Sequence, residues 1–71
     1  MQRFILVRND VTYLYRIGKR KAEYYRYSDG KEDTHNDEIT PKQAEKDIQE
    51  LRRSGFGIID DPRHFLNFLI S

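Results

Sequence analysis

The chain opens on an apolar run, Phe4-Ile5-Leu6-Val7, set between Arg3 and Arg8. Four consecutive apolar residues that include Ile and Val predict a strand covered on both faces. Asn9 and Asp10 follow, two residues that tolerate positive φ and suit a two-residue hairpin loop. Residues 11–17, VTYLYRI, then alternate. Val11, Tyr13, Tyr15 and Ile17 fall on one face, and Thr12, Leu14 and Arg16 on the other. Residues 18–21, GKRK, read as a second turn. Residues 22–27, AEYYRY, read as a third strand, with Ala22, Tyr24 and Arg26 opposite Glu23, Tyr25 and Tyr27. Ser28, Asp29 and Gly30 close it with turn chemistry. Residues 31–38, KEDTHNDE, are polar without period and are expected to form an exposed loop.

A helix is expected over about 41–54. Thr40 suits the N-cap, Pro41 the first helical position, and Gln43 at N3 completes a capping box. Ala44, Ile48 and Leu51 give one narrow apolar stripe. Gly55 fits the left-handed position after the helix, and Phe56 beyond it is placed to pack on Leu51. Arg52 and Arg53 sit in the last turn, where the helix dipole favours cations. Phe56-Gly57-Ile58-Ile59 reads as a fourth strand. Asp61 and Pro62 then mark a second helix start, with Phe65, Phe68 and Leu69 on a common face. The order β-β-β-α-β-α implies one small α+β domain over residues 1–71. Its expected form is a three- to four-stranded antiparallel sheet packed by one main helix.

Seventy-one residues without a cysteine leave no disulfide to support so small a core. A single core of this size supplies roughly 3–5 kcal/mol of net stability. The N-terminal apolar run is too short for a signal peptide, and the last one, FLNFLI, falls far short of a membrane span. The expectation is a cytoplasmic protein without a membrane association, complete from Met1. The net charge of +1 hides a polarity. Residues 1–27 carry seven basic and two acidic side chains, and residues 28–50 carry three basic and eight acidic. Such a chain favours an oriented encounter with one surface over general polyanion binding.

Enzyme chemistry finds little to use. There is no thiol, and none of Ser28, Ser54 and Ser71 lies in a nucleophile-elbow context. His35 stands among oxygen ligands in DTHNDE, but a calcium loop counted from Asp29 has Lys31 at position 3 and Thr34 where glycine is required. His64 reads as a surface residue. Asp61 is explained by capping and Asp60 as a turn residue. The sequence GFG is a helix stop before a strand, not a phosphate cradle. No catalytic residue, cofactor or metal ligand is assigned, and the chain reads as a non-enzyme.

Binding residues are easier to find. All five tyrosines fall in the second and third strands, so the core side of a small sheet cannot take every one. Tyr24, Tyr25 and Tyr27, with Arg16 and Arg26, have the stiff amphipathic character of interface anchors. The turn Lys19-Arg20-Lys21 adds a basic end. Asp29, Glu32, Asp33, Asp37 and Glu38 add an acidic one, suited to a basic patch on a partner.

In size, charge polarity and lack of catalytic groups, the stretch KRKAEYYRYSDGKEDTHNDE on its compact β-β-β-α plan resembles, by type and without a shared motif, small phage-encoded inhibitors such as anti-CRISPR proteins. That resemblance implies stoichiometric binding to a larger protein or nucleoprotein, with no residue role carried over. Three strands followed by a helix are also similar to AP2-type and integrase N-terminal DNA-binding domains. That likeness implies a sheet lying in the major groove, with Arg16, Arg26 and Tyr24 or Tyr25 reading bases. The first reading is an inhibitor or regulator of unspecified oligomeric state, and sequence-specific DNA binding is the alternative. One continuous basic patch would favour DNA. Adjoining acidic and basic patches would favour a protein.

Overall fold

Three tight turns fold residues 2–39 into a continuous antiparallel meander. A computed structural model describes residues 2–59. Strands β1 (Gln2–Arg8) and β2 (Val11–Ile17) are joined through Asn9, whose φ is 55°. Strand β3 (Ala22–Ser28) follows a four-residue turn in which Gly18 N–H donates to the Lys21 carbonyl at 3.0 Å. Asp29 and Gly30, with φ of 54° and 78°, form the next hairpin loop, both in the left-handed region that Asp-Gly tolerates. Beyond it lies strand β4 (Lys31–Ile39), then helix α1 (Pro41–Arg53) and strand β5 (Gly57–Ile59). The sheet order is β4-β3-β2-β1-β5, and every neighbouring pair is antiparallel.

The expected loop over 31–38 is therefore a strand, and among the described residues the sheet has five strands, not three or four. Within the described residues the order is β-β-β-β-α-β. The polar, unperiodic sequence of β4 hid it. As an edge strand it needs no buried face, and its side chains are nearly all exposed. The expected C-terminal helix lies outside the described residues, as do His64 and the Asp60-Asp61 pair.

Helix α1 begins and ends as its sequence dictates. Thr40 is extended, and its hydroxyl accepts from Gln43 N–H at 3.1 Å. The reciprocal half of the capping box is not made, because the Gln43 amide donates to Asp47 Oδ1 at 2.8 Å. At the other end Phe56 N–H donates to the Leu51 carbonyl and Gly55 N–H to that of Arg52. This is the Schellman pairing, with Gly55 at φ 97°. The Arg8 guanidinium also donates to the Ser54 carbonyl, which ties the helix end to β1.

The helix lies on one face of the sheet. Ala44 and Ile48 pack with Leu6, Tyr15, Ile17 and Ala22, and Phe4, Tyr13, Tyr24, Ile39, Leu51 and Phe56 surround that core. On the face away from α1, Ile5, Leu14 and Thr12 are buried as well. The double burial of β1 expected from its unbroken apolar run is thus observed. Leu6 and Leu14, at 0% and 1% exposure, are the largest fully buried side chains. Burying each stabilises the fold by about 1.5–3 kcal/mol.

Thr40→Ala should cost about 0.5–2 kcal/mol, because Gln43 N–H loses its acceptor. Urea melts measure this directly, and a loss near zero would show that water replaces the cap without penalty.

Candidate partner-binding surface

Alternation along β3 sends its aromatic residues to opposite faces. Tyr24 and Arg26 point toward the α1 side. Glu23, Tyr25 and Tyr27 point away from it. The away-facing group meets β4. Plain register counting from the Asp29-Gly30 loop would set Tyr25 opposite Thr34. A bulge between Arg26 and Tyr27 adds one residue to β4, so Tyr25 pairs with His35 instead. The two rings stack at 4.2 Å between centroids and 3° between planes. Tyr27 continues the row, 6.4 Å from Tyr25. His35 Nε2 lies 3.4 Å from Glu23 Oε2, and Arg16 Nη1 donates to Glu23 Oε1 at 3.0 Å. One strip of surface thus runs from Arg16 through Glu23, His35 and Tyr25 to Tyr27. Burial first, and then the Glu32 carboxylate opposite, push the Tyr27 hydroxyl above its ordinary value, so it stays neutral and able to donate.

The α1-facing group is bound into the fold. Tyr13, Tyr15 and Tyr24 lie side by side, with centroids 5.2–6.3 Å apart, and Phe56 meets Tyr13 edge-on at 5.5 Å. Arg26 Nε donates to Tyr13 Oη at 3.2 Å, and its guanidinium pairs with Asp33. Tyr15 Oη donates to Asp47 Oδ2 at 3.3 Å. Burial, reinforced by the Asp47 carboxylate, raises the Tyr15 hydroxyl far above the ordinary tyrosine value.

The residues singled out in the sequence therefore form no single patch. Arg16, Tyr25 and Tyr27 share the away face, whereas Tyr24, Arg26 and Asp33 belong to the α1 side. Arg16 and Arg26 thus lie on opposite faces of the sheet, whereas the DNA-binding likeness implied one face for both. Lys19, Arg20 and Lys21 are exposed on the β2–β3 turn. A shallow groove of about 250 Å³ brings Lys21 and Arg16 together with Glu23 and Asp37, so basic and acidic groups adjoin there. Glu38 N–H donates to Asn36 Oδ1 at 2.9 Å, a local contact within β4. Asp29 sits in its turn beside Asp10, and a hydrogen bond between the two carboxyls raises the pKa of Asp29.

His35 and Glu23 are the participants that sequence reasoning missed. Asp29-Gly30 carries hairpin chemistry that points to a partner strand, a signal left unused by the expectation of a loop over 31–38, and the bulge that sets His35 opposite Tyr25 has no signature in the residues. Among the described residues no three acidic or histidine side chains converge as a metal site. No helix among them is long and apolar enough to cross a membrane. Comparison with protein-family models, with curated proteins and with solved structures finds no match.

Tyr15→Phe should remove about 0.5–1.5 kcal/mol at neutral pH through loss of the Asp47 hydrogen bond. The raised hydroxyl stabilises the fold in its protonated form. That contribution is complete below the unfolded tyrosine value near 10 and is lost as pH climbs above it. Urea midpoints should therefore fall more steeply above pH ~10 in the wild type than in Tyr15→Phe. Parallel curves would show that Tyr15 ionises no less readily in the folded chain than in the unfolded one.

Proposed function

We propose that the chain is a non-enzymatic interaction protein, a small inhibitor or regulator that binds a larger protein or nucleoprotein. The binding surface is the strip on the β3–β4 side of the sheet, away from α1. The observation that carries this reading is the row Tyr27–Tyr25–His35, stacked on itself and flanked by the Arg16–Glu23 pair. Stacking and pairing hold these side chains in place before any partner arrives, so less rotamer entropy is lost on binding. Aromatic rings with polar tips supply the area, and the surrounding charges supply orientation.

Charge distribution ranks a protein surface above duplex DNA as the partner. Arg16 and Arg26 each already engage a carboxylate. Strand β4 also brings Glu32 opposite Tyr27 and Asp37 beside Glu23 on this face. A phosphate backbone laid on this face would be repelled there.

Affinity capture followed by surface plasmon resonance against the captured partner tests the proposal. Tyr25→Ala and Tyr27→Ala should each weaken binding by about 2 kcal/mol or more, as hot-spot aromatics do. Circular dichroism serves as the folding control. Asp37→Lys should mainly slow association, because rim charges act on encounter. Wild-type affinity in both folded tyrosine variants would move the binding surface elsewhere. Tight duplex binding whose log K falls by about 0.9 per neutralised phosphate with log salt would replace the proposal with the DNA-binding alternative.

A further inference from the structure

The groove between α1 and the sheet lies on the opposite side from the surface just proposed, and nothing in that reading uses it. It is an open groove of about 300 Å³, lined by Tyr13, Tyr15, Tyr24, Asp47, Glu50 and Ser54, among others. Its chemistry is one-sided. Three tyrosine rings form one wall, and two carboxylates of the helix form the other. Asp47 accepts hydrogen bonds from Tyr15 and Gln43, both neutral donors. The ion pairs among the described residues are Arg16–Glu23, Arg26–Asp33 and His35–Glu23, so neither Asp47 nor Glu50 has a cation there. Two carboxylates without an ion pair among the described residues, set against three rings, favour a cation there.

The same ring cluster already holds a cation at its far end. The Arg26 guanidinium carbon lies 5.9 Å from the Tyr13 centroid while Nε donates to the Tyr13 hydroxyl. Asp33 supplies the carboxylate for that guanidinium. Ring, hydroxyl and carboxylate around one guanidinium are thus assembled within the fold itself. The groove sets Tyr15 and Tyr24 as rings against Asp47 and Glu50 as carboxylates, with no ion pair of its own among the described residues; the Arg8 guanidinium reaches only its margin, at the Ser54 carbonyl.

We infer that the groove is a receptor for a guanidinium group, the arginine side chain of a partner protein. A guanidinium fits better than an ammonium on three grounds. It is planar and stacks on rings, it is weakly hydrated and so costs less to bring into the groove, and its fork of N–H donors can engage a carboxylate through two bonds. The inference is independent of the Tyr25–His35 surface, because it concerns different residues on the other face of the sheet.

The test is a nuclear magnetic resonance titration of the full chain with Nα-acetyl-arginine amide. The corresponding citrulline and lysine amides serve as the neutral isostere and the ammonium control. Saturable shifts are expected at the amides of Tyr13, Tyr24, Asp47 and Glu50. Citrulline amide should bind at least about tenfold more weakly, the ratio that corresponds to 1.4 kcal/mol. Glu50 is exposed, so Glu50→Lys should keep the folded spectrum while abolishing the shifts. Glu50→Gln should weaken them at least about threefold, in line with the loss of a charge-assisted bond. The inference is overturned if no shift saturates, if citrulline amide binds as well as the arginine compound, or if Glu50→Lys binds like the wild type. Equal binding of the lysine amide would overturn the assignment to a guanidinium. Shifts confined to Tyr25, His35 and Glu32 would assign the cation to the opposite face.

Discussion

The contact on which the rest of the structure depends is that between a narrow helix stripe and a broad aromatic sheet face. Helix α1 offers Ala44 and Ile48 as its buried residues, with Leu51 beside them. Ala44 is completely buried, so the backbone of the helix comes close to the sheet there. Two small or medium side chains cannot cover the width of a five-stranded sheet. The sheet must fill the space on either side, and it does so with Tyr13, Tyr15 and Tyr24. Tyrosine suits this position because its ring packs like an apolar group while its hydroxyl reaches a polar partner at the margin. Tyr15 finds Asp47 and Tyr13 finds Arg26. The ring cluster and the carboxylate-lined groove beside it are both consequences of a helix too narrow to cover the face alone.

The second constraint is the edge of the sheet. Strand β3 is an inner strand, paired with β2 and β4, and both of its faces carry tyrosines. Pairing with β4 supplies backbone partners for β3 and ring and ion partners for its side chains: His35 for Tyr25, Asp33 for Arg26. The exposed row of donors and acceptors passes to β4, whose charged residues resist further strand pairing, as natural edge strands do. The charge polarity of the chain is thus used locally. The basic first half and the acidic second half meet at the β3–β4 ladder, where Arg26 faces Asp33 and Glu23 binds both Arg16 and His35. The proposed binding strip results from that meeting, not from one basic or acidic patch.

Much of the architecture was legible without coordinates. Thr40, Pro41 and Gly55 set the ends of α1, because the orphan N–H and C=O groups of a helix accept few other solutions. Asn9 set the first hairpin loop and Asp29-Gly30 the turn that closes β3, because only a few residue types tolerate their backbone angles. Alternation in β2 and β3 assigned each tyrosine to its face correctly, and the unbroken run of β1 correctly announced burial on both sides. These features rest on local rules, in which a residue and its near neighbours carry the whole cause.

Tertiary structure decided what depends on a distant partner. Strand β4 has no apolar period, and it becomes a strand because β3 offers it a ladder and the Asp-Gly loop turns it back. The bulge near Asp33 sets a register that brings His35 onto Tyr25, and a register shift leaves no mark in composition or period. Gln43 had the right identity and spacing to complete a capping box, yet its amide turns to Asp47, four residues along the helix. The competing partner is itself local, one helical turn away, and the helix selects it over the reciprocal cap. The candidate surface, in contrast, divided through tertiary packing. The sequence by itself determined which residues were aromatic, charged and on which side of their own strand. Only the packing of α1 on one face, and of β4 on one edge, decided which of them are bound against the helix and which lie on the other face of the sheet.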